Sequence, residues 1–131
     1  VTEQLDQLVA SKYVLLTTFR KDGTPVPTPI WFARDGADLV VWTPTTSGKV
    51  KRIRRDGAVT VTACDFRGTP NGEPVNAKAR LLDAAGTARV RSLISKRYGL
   101  FAWLTVQGSK LRRGRSGTVG IAITVSATPA A

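Results

Sequence analysis

Apolar residues recur along the chain at two spacings, the three- to four-residue spacing of an α-helix and the two-residue spacing of a β-strand. The first stretch has the helical spacing. Leu5, Leu8 and Val9 fall at positions i, i+3 and i+4, which predicts a short amphipathic helix over residues 3–11. A compact run of apolar and β-branched residues follows at Tyr13–Phe19 and predicts the first strand.

Two Asp-Gly pairs mark tight turns between the first three predicted strands. Asp22-Gly23 leads into a return strand over Val26–Ala33, and Asp35-Gly36 leads into a third strand over Ala37–Thr43. The return strand contains two prolines, which lack the N–H donor of a sheet and favour an edge or bulged position. Together these segments predict an antiparallel meander.

The second half of the chain continues with both spacings. The predicted elements are a helix over Lys49–Arg55, strands over Val59–Cys64 and Val75–Leu82, a helix over Ala84–Tyr98 that residues 99–112 extend beyond a break at Gly99, and a strand over residues 119–125. Six to seven mostly antiparallel strands with short helices predict a mainly β, α+β fold, a barrel or curled sheet. We expect one domain over residues 1–131, with residues 126–131 as a frayed tail.

Charge is the most informative property of the composition. The 131 residues include 20 Lys and Arg against 9 Asp and Glu, a formal net charge of +11. Such a field attracts nucleic acid, an anionic membrane surface or a multiply charged small molecule, and a solubility surface without a partner is the plain alternative. No apolar run approaches the length of a membrane span, so we expect no membrane insertion.

The chain contains no histidine, no methionine and a single cysteine, Cys64. Without histidine, the usual general base and the commonest metal ligand are missing, so we expect no metal site and no Cys-His pair. Enzymatic chemistry would have to come from a cofactor or from carboxylates, lysines or tyrosines. One cysteine and a polar, acidic N-terminus predict a cytoplasmic protein.

The segment Thr45–Arg55 is the strongest candidate for a binding site. Three hydroxyl residues and Gly48 precede a predicted helix N-terminus, where free N–H groups and the helix dipole favour an anion. Five of the next seven residues are basic, and Lys49 in the first turn opposes the dipole unless an anion binds there. These features predict a phosphate-bearing ligand, and a solvated basic helix with an ordinary Ser/Thr cap is the alternative.

Several segments together resemble a known family. They are Pro25–Phe32, Ser47–Asp56, Val59–Cys64, Ala77–Asp83 and Lys96–Leu100. Their order and spacing are similar to the pyridoxamine-phosphate-oxidase-like split β-barrel group, whose fold is that of FMN-binding proteins. Within this group the chain looks most like the actinobacterial branch B of flavin/deazaflavin oxidoreductases, which use coenzyme F420. The resemblance covers about residues 5–125.

The resemblance implies a cofactor site with two parts. The implied cofactor-binding residues are Thr28, Pro29, Ile30 and Trp31 beside the ring, and Ser47, Gly48, Lys49, Lys51 and Arg54 at the phosphate, together with Thr43. It implies no catalytic side chain, because the cofactor itself carries the hydride. It also implies a homodimer with each site at the subunit interface.

The resemblance thus predicts an F420-dependent oxidoreductase that transfers a hydride between reduced F420 and a small organic acceptor such as an enone, a quinone or a tetrapyrrole. The net charge of +11 and the basic cluster Lys110–Arg115 would suit the acidic oligoglutamate tail of F420. The alternatives are an FMN-dependent oxidase or reductase of the same fold and a non-enzymatic F420 or flavin carrier. Nucleic-acid binding by the basic surface is a further alternative, which predicts steep salt dependence.

The remaining candidate residues have structural explanations. Trp31, Trp42 and Trp103 are expected in the core or in the cofactor wall rather than on a base-stacking platform. Cys64 alternates with apolar residues and is expected to be a small buried residue instead of a reactive thiol. Tyr98 is expected to pack within its helix.

Overall fold

The computed structural model describes Asp6, residues 8–113 and residues 117–129, with side chains except those of residues 100–113 and 126–129. Its strands are β1 Tyr13–Phe19, β2 Pro25–Trp31, β3 Ala33–Asp35, β4 Asp38–Pro44, β5 Ala58–Cys64, β6 Val75–Leu81 and β7 Thr118–Pro129, and its helices are α1 Gly48–Arg55 and α2 Ala84–Arg113. Asp6, Leu8 and Val9 are helical as predicted, whereas residues 1–5 and 7 lie outside the described part.

All seven strands belong to one antiparallel sheet. Their order is β2-β1-β5-β6-β7-β4-β3, and each pair of neighbours runs antiparallel. The sheet curls until β2, at one end, contacts β4 near the other end. This arrangement is a split β-barrel, so the predicted fold class is confirmed.

The Asp-Gly turns form as predicted. Gly23 and Gly36 have positive φ angles of 90° and 63°, which a residue with a Cβ adopts only with strain. In the first turn, the Asp22 carboxylate accepts a hydrogen bond of 3.0 Å from the Thr24 amide. These two turns set the register of β1 against β2 and of β3 against β4.

Period-two alternation directs one face of each strand into the barrel. Its largest fully buried side chains include Phe32, Leu16, Leu39, Ile121 and Ile123. A second apolar cluster lies outside the barrel wall, where Val90 and Ile94 of α2 pack on Val40 and Ala122. The helix α2 thereby covers the outer face of β4 and β7.

Two predicted strand boundaries were wrong. The return strand is interrupted at Phe32, so that β2 and β3 are separate strands. The last strand continues to Pro129, which pairs with Val75 of β6 beyond a β-bulge. Residues 126–129 therefore belong to β7 instead of a frayed tail, because backbone pairing with β6 extends past Val125, the last large apolar residue of the strand. Residues 130 and 131 lie outside the described part.

The break predicted at Gly99 is confirmed. This glycine has a φ of 77° and a ψ of −156° inside α2, and helical backbone continues after it to Arg113. The Trp103 side chain, the side chains of residues 110–113 and the whole of residues 114–116 lie outside the described part of the chain. Within the described residues, neither helix combines the length and the apolar character that crossing a membrane requires.

Candidate functional site

The barrel is open along a seam between β2 and β4, and the sequence of β2 explains why. Pro25, Pro27 and Pro29 occupy alternate positions, and β2 pairs with β1 along its whole length. Alternate residues direct their backbone groups to the same side of a strand, so the missing N–H groups lie on the edge that faces β4. Because β2 has no donors there at these positions, a regular ladder of backbone hydrogen bonds cannot close the seam.

Two hydroxyl groups lie at the start of α1, one from Thr43 at the end of β4 and one from Ser47. Thr43 is buried, and its hydroxyl donates a 3.4 Å hydrogen bond to the Ser47 hydroxyl. Ser47 is the N-cap residue of α1, as predicted, yet its side chain makes no cap hydrogen bond to the helix. The amide groups of the first helical turn are therefore not covered by the cap side chain and can bind an anion.

An arginine that was not among the predicted site residues lies over this helix terminus. The guanidinium of Arg52 lies so close to Gly48 that a Cβ on the glycine would be 2.7 Å from Nη1. Its Nε donates a 2.6 Å hydrogen bond to the hydroxyl of Thr18, a buried residue of β1. Gly48 thus leaves room for the guanidinium, and Thr18 holds it in place.

Lys49 adds a second positive charge beside Arg52. Burial, and then the charge of Arg52, lower the pKa of the half-buried Lys49 ammonium below its usual value. The first turn of α1 contains no acidic residue that would offset these charges. Two neighbouring cations at the positive end of a helix dipole form a strained arrangement that a bound anion relieves.

Replacing Lys49 by methionine is therefore expected to stabilise the ligand-free protein by about 0.5 kcal/mol. Since the folded state lowers the pKa of Lys49, its charge opposes folding at neutral pH. This cost shrinks as the pH rises through the pKa of Lys49 in the folded protein and disappears above 10.5, the usual pKa of lysine. Urea unfolding of both proteins at pH 7 and pH 11 measures the effect.

The matched control is Lys51→Met, because Lys51 is exposed on the same helix. We expect no gain in stability for this control. A Lys49→Met variant that is less stable than the parent protein at pH 7 would contradict the proposed strain.

The other two predicted cations lie on a different flank of α1. Lys51 and Arg54 are exposed, and at three-residue spacing they form a pair on the opposite side of the buried Val50 and Ile53 from Lys49 and Arg52. The structure therefore brings Lys49 together with Arg52, Gly48 and Ser47, and leaves Lys51 and Arg54 facing solvent.

The predicted ring-binding residues line β2, on the other side of the seam. Thr28 and Ile30 are half-buried, whereas Pro29 is exposed. Trp31 stacks on Tyr98 of α2, with a centroid distance of 4.7 Å and an interplanar angle of 11°. The predicted ring group thus lies on β2, whereas the predicted phosphate group lies at the end of β4 and in α1, the helix that follows it. The strands β2 and β4 contact each other.

Three further residues complete the candidate site: Arg52, Thr18 and Tyr98. Only the position of Arg52 could have been predicted from the sequence. Helical side chains lean toward the N-terminus, so an arginine four residues after a glycine covers the space that the glycine leaves. Thr18 is one of many β-branched strand residues. Tyr98 reaches Trp31 through tertiary packing alone, and its predicted packing role is confirmed.

The remaining candidates are structural. Cys64 is buried, as predicted, and burial together with the Asp65 carboxylate raises the pKa of its thiol. Trp42 packs against the apolar cluster beneath α2. Among the described residues, no three Cys, Asp or Glu side chains come together to form a metal site.

Comparison with known proteins gives a family and a fold. The family model described as pyridoxamine 5′-phosphate oxidase matches residues 1–128. No curated protein matches the chain.

Three solved structures illustrate the range of proteins with this fold. A conserved hypothetical protein from Mycobacterium tuberculosis is 23% identical, with a TM-score of 0.70 over 95% of this chain and 79% of the other. An F420 reductase is 21% identical, with a TM-score of 0.59 over 93% of each chain. The haem storage protein HutZ from Vibrio cholerae is 12% identical, with a TM-score of 0.67 over 98% of this chain and 92% of the other. At these identities the similarity shows the fold.

Proposed function

Since the chain belongs to the pyridoxamine 5′-phosphate oxidase family, we propose that it is an F420-dependent oxidoreductase that transfers a hydride from the reduced deazaflavin to a small organic acceptor. The observation that carries the proposal is the pair of cations, Lys49 and Arg52, at the N-terminus of α1 beside the seam. The F420 reductase of the same fold supports a deazaflavin as the cofactor.

The phosphate of the cofactor fits the terminus of α1. Ser47 and Gly48 leave the first amide groups accessible, and Lys49 and Arg52 supply charge-assisted donors. Lys51 and Arg54, on the exposed flank, attract the acidic tail over a longer distance, as the net charge of +11 also does. A tail of several carboxylates is a better match to this charge than FMN, which ends at its phosphate.

The ring of the cofactor fits along β2, with Thr28, Pro29, Ile30 and Trp31 beside it. When bound, the deazaflavin supplies the hydride chemistry that the side chains of this protein lack. The chain itself orients the ring and excludes water from one face of it. Trp31 is suited to this role because its stack on Tyr98 fixes the indole plane.

We further propose that the protein acts as a homodimer through the outer face of β1 and β2. Phe66 is 65% exposed, and its loop packs on this face, because a Cβ on Gly68 would lie 3.5 Å from Pro29 and 3.6 Å from Leu15. Prolines, Leu15 and Phe66 thus form an apolar surface next to the seam. Sedimentation equilibrium tests the proposal, and a monomer at micromolar concentration would contradict it.

Titration of the cofactor-free protein with F420 and with FMN tests the choice of cofactor. Isothermal calorimetry at two salt concentrations separates the contribution of charge from that of the ring. We expect F420 to bind more tightly, and its advantage to shrink as salt rises. Tighter binding of FMN would favour a flavin-dependent oxidase or reductase of the same fold.

A non-enzymatic carrier is the second candidate, because the haem storage protein has the same fold. The chain has neither histidine nor methionine, so a haem would need Cys64, which is buried, or a tyrosine as its axial ligand. Oxidation of reduced F420 in the presence of enones, quinones and tetrapyrroles distinguishes the two functions. Bound F420 that no acceptor oxidises would favour the carrier.

Replacing Trp31 by alanine is expected to weaken binding of the ring more than binding of the phosphate. The loss of one aromatic wall should reduce affinity by about 0.5–1.5 kcal/mol. Titrations with the full cofactor and with a deazaflavin that lacks the phosphate measure the two contributions. Trp31→Phe is the control because it keeps an aromatic ring on Tyr98. Equal affinity of the phosphate-free deazaflavin for the parent and the alanine variant would contradict the placement of the ring.

A further inference from the structure

A small cleft lies at the end of β2, outside the terminus of α1. Its volume is about 290 Å³, and it is lined by Lys12, Tyr13, Trp31, Arg97 and Tyr98. Tyr13 and Trp31 are partners in the register of β1 and β2, so their side chains project from the same face of the sheet. The cleft therefore combines three aromatic rings with two cations.

The aromatic wall of the cleft is rigid. The Tyr98 hydroxyl shares its proton between the carbonyl oxygens of Lys12 and Phe32, at 2.6 and 2.9 Å, and accepts a 3.2 Å hydrogen bond from the Phe32 amide. These bonds hold the tyrosine ring parallel to the indole of Trp31. A flat wall that is fixed before binding lowers the entropy cost of stacking a planar ligand.

The positive charge of the cleft is also partly fixed. The Nη2 atom of Arg97 donates to the carbonyl oxygens of Val9 and Ser11, at 2.9 and 2.6 Å, while its guanidinium lies 5.4 Å from the centroid of the Tyr98 ring. Lys12 is exposed at the mouth. Of the described residues that line the cleft, two are cations and none is acidic.

We propose that this cleft binds a planar conjugated ring that carries a carboxylate. The ring stacks against the aromatic wall, and the carboxylate faces Lys12 and Arg97. A volume of about 290 Å³ suits one ring or two fused rings. Trp31 lines this cleft and is also one of the β2 residues proposed to lie beside the deazaflavin. A ligand in the cleft would therefore lie close to the cofactor, and we assign it as the hydride acceptor. That last step rests on the proposed function, whereas the binding of the ligand does not.

Calorimetry on the cofactor-free protein tests the binding, with 2-naphthoate as the probe. The uncharged 2-naphthamide tests the need for the carboxylate, and cyclohexanecarboxylate tests the need for a planar ring. We expect 2-naphthoate to bind about tenfold more tightly than either analogue. Lys12→Gln should weaken the binding of 2-naphthoate by about 1.5- to 5-fold and leave the binding of 2-naphthamide unchanged. Unchanged melting temperatures verify that the variant is folded.

The matched control is Lys96→Gln, because Lys96 is exposed on α2 and does not line the cleft. It should leave the affinity for 2-naphthoate unchanged. Equal affinities for the acid and the amide, or equal losses in the Lys12 and Lys96 variants, would overturn the proposal in favour of general attraction to the net charge. Because no cofactor is present, these results are independent of the F420 titration, and either proposal can fail without the other.

Discussion

Replacing Phe32 by alanine is expected to lower the free energy of unfolding by about 3–5 kcal/mol. Phe32 is the largest side chain that is fully buried in the described structure, and the guanidinium of Arg97 lies 4.5 Å from its ring centroid. Its truncation removes apolar contacts and leaves a cavity in a close-packed barrel. The loss is a large fraction of the total stability of a small domain.

Urea unfolding at fixed protein concentration measures this loss, since a change in midpoint at constant slope reports stability. Phe32→Leu keeps most of the volume and should cost less than about 1.5 kcal/mol. Lys21→Ala is the control, because Lys21 is exposed in the turn between β1 and β2 and is not one of the residues of the proposed dimer surface. Its truncation should change stability by less than about 0.5 kcal/mol. Similar losses for Phe32→Ala and Lys21→Ala would contradict the described core.

Phe32→Ala should also change the structure of the candidate site. The amide and carbonyl of residue 32 hold the Tyr98 hydroxyl, and Tyr98 in turn stacks on Trp31. A backbone that shifts toward the cavity would therefore loosen the aromatic wall. We expect cofactor binding by Phe32→Ala to weaken even where the variant remains folded.

Replacing Lys49 by alanine is expected to weaken F420 binding by about 1–3 kcal/mol, or about 5- to 150-fold in Kd. The reason is the loss of one charge-assisted hydrogen bond to the phosphate at a half-buried position, where water screens the charge less than at the surface. Arg52→Ala should have an effect of similar size, since the Arg52 guanidinium lies at Gly48 and Thr18 holds it there.

Calorimetric titration of the two single variants and of the double variant measures each loss and the coupling between them. Lys51→Ala is the matched control, because it removes the same charge from the exposed flank of the same helix. At 0.3 M salt we expect this control to lose less than about 1 kcal/mol, as surface charges are screened. An unchanged Kd for Lys49→Ala would remove Lys49 from the site.

Local signals in the sequence were sufficient for most of the fold. The Asp-Gly pairs predicted the turns at Gly23 and Gly36, where the backbone has the positive φ that glycine allows. Alternation predicted the buried faces of the strands, and the cap residues predicted a helix from Lys49, one residue after the observed start of α1 at Gly48. Each of these features depends on residues within one turn or one strand.

The errors arose where distant residues determine the structure. Residues 126–129 contain no large apolar side chain that would mark a buried strand, and they extend β7 where Pro129 pairs with Val75 of β6. The break at Phe32 is similar, because its amide and carbonyl bind the Tyr98 hydroxyl 66 residues away. No local pattern of residues in the sequence predicts either contact.

Only part of the candidate site could be predicted from the sequence. Ser47, Gly48 and Lys49 followed from the chemistry of a helix terminus, and the structure places them beside Arg52. Lys51 and Arg54 were grouped with them on the family resemblance, although the turn of the helix directs them to the other flank. Which flank approaches β1 depends on how α1 packs, and this is a property of the folded barrel.

The prolines of β2 also bear on how the protein behaves at high concentration. An end strand with free donors and acceptors can extend its sheet into another molecule and start aggregation. The open edge of β2 lacks donors at Pro25, Pro27 and Pro29, so a strand of another molecule cannot form a regular ladder there. The sequence that keeps the seam open for a ligand thus also protects the protein against fibril-like self-association.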